Sequence, residues 1–262
     1  ILTNGYRQTT RLLAAPSAAD GRQLEVATTL VPMYTNYYHW TVECLTRLFG
    51  VFRFYDKTGT MPTIILPANP PSWIRESLAI MDVPSDRCTV LGSEPVHVDR
   101  LVVPSYPDPS ATECQWLRQR MTERIKKSAP ASARMSIPET GVYIPRTDAT
   151  TRRVLNEDAV IDALSAYGIE PYVLSSLRVS EQIRLFQNVD IIVSPHGAGL
   201  TNLLYARDPT IVELFGQKRK TTYYRLAKLL GFDYHAVSCG SVDTDLHIDI
   251  EGLTQLIEAV SE

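Results

Sequence analysis

Apolar positions along the chain follow two periods, and the switching between them organises the sequence. "LEVATTLVP" (residues 24–32) reads as a strand. "NYYHWTVECLTRLFGVFRFY" then places its apolar residues at helical intervals, with Asn36 as the N-cap. "TIILP" is a short buried strand. "SWIRESLAIMD" is a helix opened by Ser72, with Glu76 placed to stabilise its first turns. "VHVDRLVVPS" alternates as a strand does, and "ATECQWLRQRMTERIKK" is a long amphipathic helix.

The stretch that follows, "KSAPASARMSIPETG", is rich in Ser, Ala and Pro, lacks a sustained apolar period and reads as an exposed linker. Beyond it, "GVYIPR" is a strand, and Asn156 caps a helix whose first turn carries Glu157 and Asp158. "IEPYVLSS" is a strand, Ser180 caps "EQIRLFQNV", and "DIIVS" returns to the sheet. The turn "PHGAG" opens the next helix, and "TIVELF" is a strand. "TTYYRLAKLLG" is a helix stopped by Gly231, and "IEGLTQLIEAVS" is the last helix. Strands alternating with helices define an α/β protein with mainly parallel sheets. The expected organisation is a Rossmann-like domain over residues 1–127, a linker over 128–141 and a second Rossmann-like domain over 142–262.

Composition narrows the class. The 262 residues have the apolar and charged fractions of a globular chain, which excludes disordered and fibrous proteins. A formal charge of −3 gives no electrostatic case for nucleic acid. Local basic runs (Arg152 and Arg153, then Lys218, Arg219 and Lys220) are ordinarily solvated faces. The longest apolar stretches are too short to cross a bilayer, and Ile1 is expected not to be the native start. Cys44, Cys88, Cys114 and Cys239 lack metal-ligand or disulfide-framework spacing, so a reducing compartment is expected. The expected location is the cytoplasm or the inner face of a membrane.

Three segments carry candidate chemistry. In "IIVSPHGAGLTNLLYA", Pro195 to Gly199 sit at the carboxyl end of a strand, where open parallel sheets bind ligands. Helix N-terminal amides there suit a phosphate, Gly197 and Gly199 would let it approach without a Cβ in the way, and His196 could donate to it. A tight turn with a packed histidine is the plain alternative. In "GVYIPRTDATTRRVLNEDAV", Arg146 ends a strand and Arg152 and Arg153 precede a helix; arginines can neutralise a diphosphate without a metal. They could equally balance Asp148, Glu157 and Asp158. Glu213 ends the strand "TIVEL", where it could accept ribose hydroxyls or simply face solvent. In "NYYHWTVECLTRL", His39 and Glu43 share one helical face, as a general base and its orienting carboxylate would. A histidine buried beside Tyr38 and Trp40 is the alternative.

Together, "NYYHWTVECLTRL", "YIPRTDATTRRVLNE" and "IIVSPHGAGLTNLLY…PTIVELF" resemble glycosyltransferase family 61, over most of residues 36–215. That family includes prokaryotic polysaccharide-biosynthesis proteins and eukaryotic xylosyl- and N-acetylglucosaminyltransferases. The resemblance implies a GT-B-like fold, with two Rossmann-like domains facing across a cleft. It also implies an inverting, metal-independent transfer from a nucleotide-sugar, with UDP-sugars the best-known donors. The matched positions are Arg146, Arg153, the block His196, Gly197, Ala198, Gly199 and Leu200, and Glu213. No cofactor beyond the donor co-substrate and no metal site are expected, because "DTD" (Asp243 to Asp245) lies late in a polar loop. On this reading the first domain takes a glycan or polysaccharide acceptor and the second the donor. His39, steadied by Glu43, is the base, and Arg146, Arg152, Arg153 and the PHGAG turn carry the diphosphate. A non-catalytic nucleotide-sugar-binding or scaffold subunit is the alternative. An NAD enzyme is disfavoured because PHGAG is not GxGxxG.

Overall fold

The computed structural model describes residues 22–92, 95–104, 110–127, 137–138, 140–217 and 219–261. Most of the expected linker and Lys218 lie outside the described residues. The chain divides into two compact units, residues 1–124 and 125–262.

The first unit is built on a four-stranded, wholly parallel sheet of order β3-β2-β1-β4. Its strands are β1 (Arg22–Thr29), β2 (Thr63–Leu66), β3 (Cys88–Val90) and β4 (Val96–Leu101). In β2, Ile64, Ile65 and Leu66 are all buried, the continuous apolar run of a strand covered on both faces. The helices are α1 (Leu48–Thr58), α2 (Ser72–Ile80) and α3 (Ala111–Lys127). Ser72 is the first helical residue of α2 and Pro71 occupies the N-cap, so Glu76 falls beyond the first turn, not within it. Proline's fixed φ suits a helix start, and it displaces the expected serine cap.

The segment after β1 departs from a single regular helix. A π-helical turn (His39–Cys44) runs through a 3₁₀ turn (Leu45–Arg47) into α1. Asn36 does open it: its Oδ1 accepts the His39 N–H at 3.0 Å and its carbonyl accepts that of Trp40 at 3.1 Å. Trp40 is fully buried and its indole N–H donates to the Ser77 hydroxyl at 2.8 Å. Truncating so large a buried ring costs roughly 3–5 kcal/mol, which is the scale on which this turn is pinned to α2.

The second unit is a five-stranded parallel sheet of order β6-β5-β7-β8-β9. Its strands are β5 (Gly141–Tyr143), β6 (Ile169–Pro171), β7 (Ile191–Pro195), β8 (Thr210–Phe215) and β9 (Asp233–Ser238). An antiparallel hairpin, β10 (Gly240–Val242) and β11 (Asp245–His247), follows. The helices are α4 (Glu157–Ser165), α5 (Val179–Phe186), α6 (Thr222–Leu230) and α7 (Ile250–Ser261). Tyr143, Leu164, Val193, Leu214, Leu253 and Ile257 are among the residues that join sheet, α4 and α7 into one core. Gly231 ends α6 at φ +82°, the left-handed conformation that favours glycine.

Two further caps differ from expectation. Asn156 stands at the N-cap of α4, but its side-chain amide grips Ile248, donating to the carbonyl at 2.8 Å and accepting the N–H at 3.0 Å. Ser180 lies inside α5, which Arg178 begins; Glu181 reaches back to the Arg178 N–H at 2.8 Å. The PHGAG turn opens a 3₁₀ helix (Ala198–Tyr205), not an α-helix. Among the described residues no helix is long and apolar enough to cross a membrane. The fold class is α/β with mainly parallel sheets.

Strand order fixes where ligands go. In the first unit the chain reverses direction across the sheet between β1 and β4, and in the second between β5 and β7. Crevices outside the carboxyl ends of such strand pairs are the binding places of open parallel sheets.

Candidate functional site

In the second unit, both segments flanking the β5/β7 crevice carry candidate residues. Arg146 follows β5 and the turn from Pro195 to Gly199 follows β7. The Arg146 guanidinium donates through Nε and one terminal nitrogen to the Thr151 carbonyl, at 3.2 and 3.1 Å. Its other terminal nitrogen lies against Gly197: a Cβ built there would be 2.2 Å from it. Gly197 is extended, at φ −170°, so it is the closeness of the guanidinium that requires glycine there. Among the described residues no carboxylate bonds this guanidinium. Burial, and then the charge of Arg152, pull the Arg146 pKa below its ordinary value. Asp148 and Glu157 oppose that shift from nearby without bonding the guanidinium, and two neighbouring arginines at a strand end favour an anionic ligand.

The loop that holds Thr151 is stapled from a distance. Arg153 pairs with Asp245 of the hairpin, through Nε at 3.0 Å and a terminal nitrogen at 2.6 Å, and its backbone N–H donates to the same carboxylate at 3.0 Å. Backbone bonds from Leu155 to Leu246 and from Leu246 to Arg153 reinforce the clamp. Arg152 sits at φ +58°, a left-handed conformation rare for a side chain of its size and costing on the order of 1 kcal/mol. The arginine pair therefore divides. Arg153 is satisfied by Asp245, whereas Arg152 adds its charge to Arg146.

Glu213 has no exposed surface. Its Oε1 lies 2.5 Å from Nδ1 of His196, and its Oε2 accepts the Tyr234 hydroxyl at 2.5 Å. Burial, and then this hydrogen bond, raise the Tyr234 pKa, so the phenol stays a donor. A carboxylate with both oxygens engaged inside the protein is not placed to accept ribose hydroxyls. Instead it holds the imidazole of buried His196 by Nδ1 and leaves Nε2 as the ring nitrogen it does not engage. The His196 ring stacks on Phe215 at 5.6 Å and meets Tyr223, at the start of α6, at 5.3 Å.

The two glycines of the turn serve different ends. A Cβ on Gly199 would press on Ile144 at 3.0 Å and Leu174 at 3.1 Å, so this glycine permits close packing of the 3₁₀ helix on the core. The first bond inside that helix joins the Leu200 N–H to the Gly197 carbonyl at 3.1 Å. The amides of Ala198 and Gly199 precede it and stand at the positive end of the helix. Glu157, expected at the first turn of α4, accepts the Tyr143 hydroxyl at 2.9 Å and the Arg146 N–H at 3.2 Å, tying Arg146 to β5.

In the first unit, the π-helical turn comes after β1 in the chain and packs on α2 through Trp40 and Ser77. Trp40, Thr41, Val42 and Cys44 are buried, which turns His39 and Glu43 to the opposite side. His39 Nδ1 lies 2.8 Å from Glu43 Oε2, with both side chains partly exposed. π-Helical turns recur at functional sites. Again the carboxylate takes one ring nitrogen and leaves Nε2.

Sequence reasoning missed Asp245, Tyr234, Thr151 and Tyr223. "DTD" drew attention to Asp245 only as a potential metal ligand, and its carboxylate proves to be taken by Arg153 and the adjoining loop amides.

Both units are α/β with parallel sheets, and the second gathers Arg146 and the PHGAG turn at its strand ends. The sequence profile described as Glycosyltransferase 61 matches residues 37–212, and the chain belongs to that family. It is similar to EGF domain-specific O-linked N-acetylglucosamine transferase of Gallus gallus, 36% identical over 89 residues, which is 32% of this chain and 17% of the relative. The Drosophila melanogaster protein of that name is 36% identical over 87 residues, with 32% of this chain and 17% of the relative covered. Beta-1,2-xylosyltransferase of Arabidopsis thaliana is 28% identical over 123 residues, covering 41% of this chain and 23% of the relative. The chain thus spans under a quarter of the length of these curated relatives.

Proposed function

We propose that the chain is an inverting, metal-independent glycosyltransferase of GT-B type, moving a sugar from a nucleotide-sugar, a UDP-sugar by preference, to a glycan or polysaccharide hydroxyl. The observation that carries this reading is the Arg146 guanidinium lying against Gly197 at the β5/β7 switch point, beside the amides that open the 3₁₀ helix. Two diphosphate oxygens would be met there by Arg146, the Ala198 and Gly199 amides and His196 Nε2, with Arg152 adding charge and Leu200 closing the turn. Glu213 and Tyr234 orient His196 and do not touch the nucleotide. Asp245 and Arg153 hold the arginine loop in place.

In the reaction, the acceptor oxygen bonds to the anomeric carbon as the carbon–oxygen bond to the diphosphate breaks on the opposite face. The acceptor proton passes to His39 Nε2, with Glu43 stabilising the imidazolium that forms. The charge growing on the departing diphosphate is met by fixed donors, the form of stabilisation that needs no metal.

The test is a panel of nucleotide-sugars with saccharide acceptors in EDTA, following nucleotide release and the anomeric configuration of the product. The reading expects acceptor-dependent turnover with inversion. Replacing His39 by Ala should lower the rate roughly 10²–10⁴-fold. Retention, or a strict need for a divalent ion, would refute the mechanism. Donor binding without turnover would leave a nucleotide-sugar-binding subunit.

A further inference from the structure

Beside His39 the molecule presents an aromatic ring to water. Tyr34 is 60% exposed, in the loop between β1 and the π-helical turn. Its ring centroid lies 5.4 Å from that of His39, with the planes at 49°. Tyr38 meets the imidazole edge-on at 5.6 Å. The exposure is held in place through the backbone. The Tyr34 carbonyl accepts the Asn36 N–H at 2.8 Å, and Asn36 in turn caps the turn that carries His39. Upstream, the loop is anchored by fully buried Leu30, whose N–H donates to the Ile65 carbonyl at 2.9 Å.

We infer that Tyr34 is the platform of an acceptor subsite that takes a pyranose ring, laying the C–H face of the sugar on the phenol and turning a hydroxyl toward His39 Nε2. This rests on the transferase reading for the role of His39. The two rings meet as the walls of an open corner, not as a closed stack. An object lying flat on one wall therefore presents its edge to the other. A sugar has the matching anatomy: an apolar C–H face for the aromatic surface and a hydroxyl rim for the imidazole. Tyrosine suits such a place because its ring is apolar while its hydroxyl stays wet. A peptide acceptor is a poorer match. Extended peptides add to a free sheet edge, and β1, which leads into this loop, is flanked on both sides by β2 and β4.

Saturation-transfer NMR tests this directly, with methyl glycosides of glucose, galactose, mannose, xylose and N-acetylglucosamine as probes and no donor present. At least one should receive saturation on the C–H protons of a single ring face. Replacing Tyr34 by Ala should weaken its binding roughly five- to tenfold, whereas Tyr34→Trp retains it. Tyr34 is exposed, so these variants should keep the wild-type melting temperature. No transfer to any glycoside, equal transfer in Tyr34→Ala, or transfer only to a serine-bearing peptide would overturn the inference. Glycoside binding lost in Tyr34→Ala, in a protein without turnover, would uphold the platform and remove the chemistry. Turnover with an unchanged acceptor KM in Tyr34→Ala would remove the platform and leave the chemistry.

Discussion

Replacing Gly197 by Ala separates two explanations for a glycine in the PHGAG turn. The backbone there is extended, so alanine adopts it without strain. The new methyl would sit 2.2 Å from the nearest Arg146 nitrogen and 3.4 Å from the guanidinium carbon. Restoring ordinary contact requires the nitrogen to withdraw by about 1.2 Å. That group is the end of a flexible side chain, so the fold itself should lose little, under about 1 kcal/mol, or at most ~2–4 °C in melting temperature. The ligand should lose more. A hydrogen bond to a charged group contributes about 1.5–3 kcal/mol, so nucleotide affinity should fall roughly 10- to 150-fold. Titration calorimetry with UDP in EDTA, on wild type, Gly197→Ala, Arg146→Ala and the double variant, reads this out. If Gly197 acts only by making room for Arg146, the double variant binds no worse than Arg146→Ala alone. Unchanged affinity in Gly197→Ala would refute the reasoning. Additive losses would mean that the methyl blocks the ligand itself.

Other predictions follow from neighbouring contacts. Gly199→Ala presses a methyl on Ile144 and Leu174, so chemical denaturation should show a loss of roughly 1–3 kcal/mol. Tyr234→Phe leaves one oxygen of buried Glu213 without its donor; UDP affinity should fall through misorientation of His196, and stability by about 1–3 kcal/mol. Hydrogen bonds from the Arg153 side chain and backbone hold the Asp245 carboxyl below its ordinary pKa. Its contribution is therefore complete above about pH 4 and lost as pH falls through the lower folded value. Melting curves of Asp245→Asn should lack this part of the acid loss, and its UDP affinity at neutral pH should be reduced because the Thr151 loop is released.

What was legible in the sequence is what local pattern encodes. β7 and β8 are buried runs bounded by turns, and the glycine after α6 stops it as such a residue should. The segment after Asn36 read as a helix because its apolar spacing is helical, yet burying Trp40 against Ser77 accompanies a π-helical turn that periodicity does not distinguish. Caps were less legible. Ser72 and Ser180 have the right side chains, but Pro71 and Arg178 hold the positions. The hairpin was missed because its strands are three residues each in polar sequence. Candidate residues were found at strand ends, where sequence marks them. Their partners were not, because Asp245 lies 92 positions from Arg153 and Tyr234 lies 21 from Glu213, and only the folded sheet brings them together. The same limit hid the reason for each glycine: one gives way to a guanidinium, the other to the core.

A crystal structure of the protein with UDP, grown in EDTA, tests the central claim most directly. Both phosphates should lie at the β5/β7 crevice, bonded by Arg146, the amides of Ala198 and Gly199 and His196 Nε2. A diphosphate bound elsewhere on the chain, or one that binds only through a divalent ion, would contradict it.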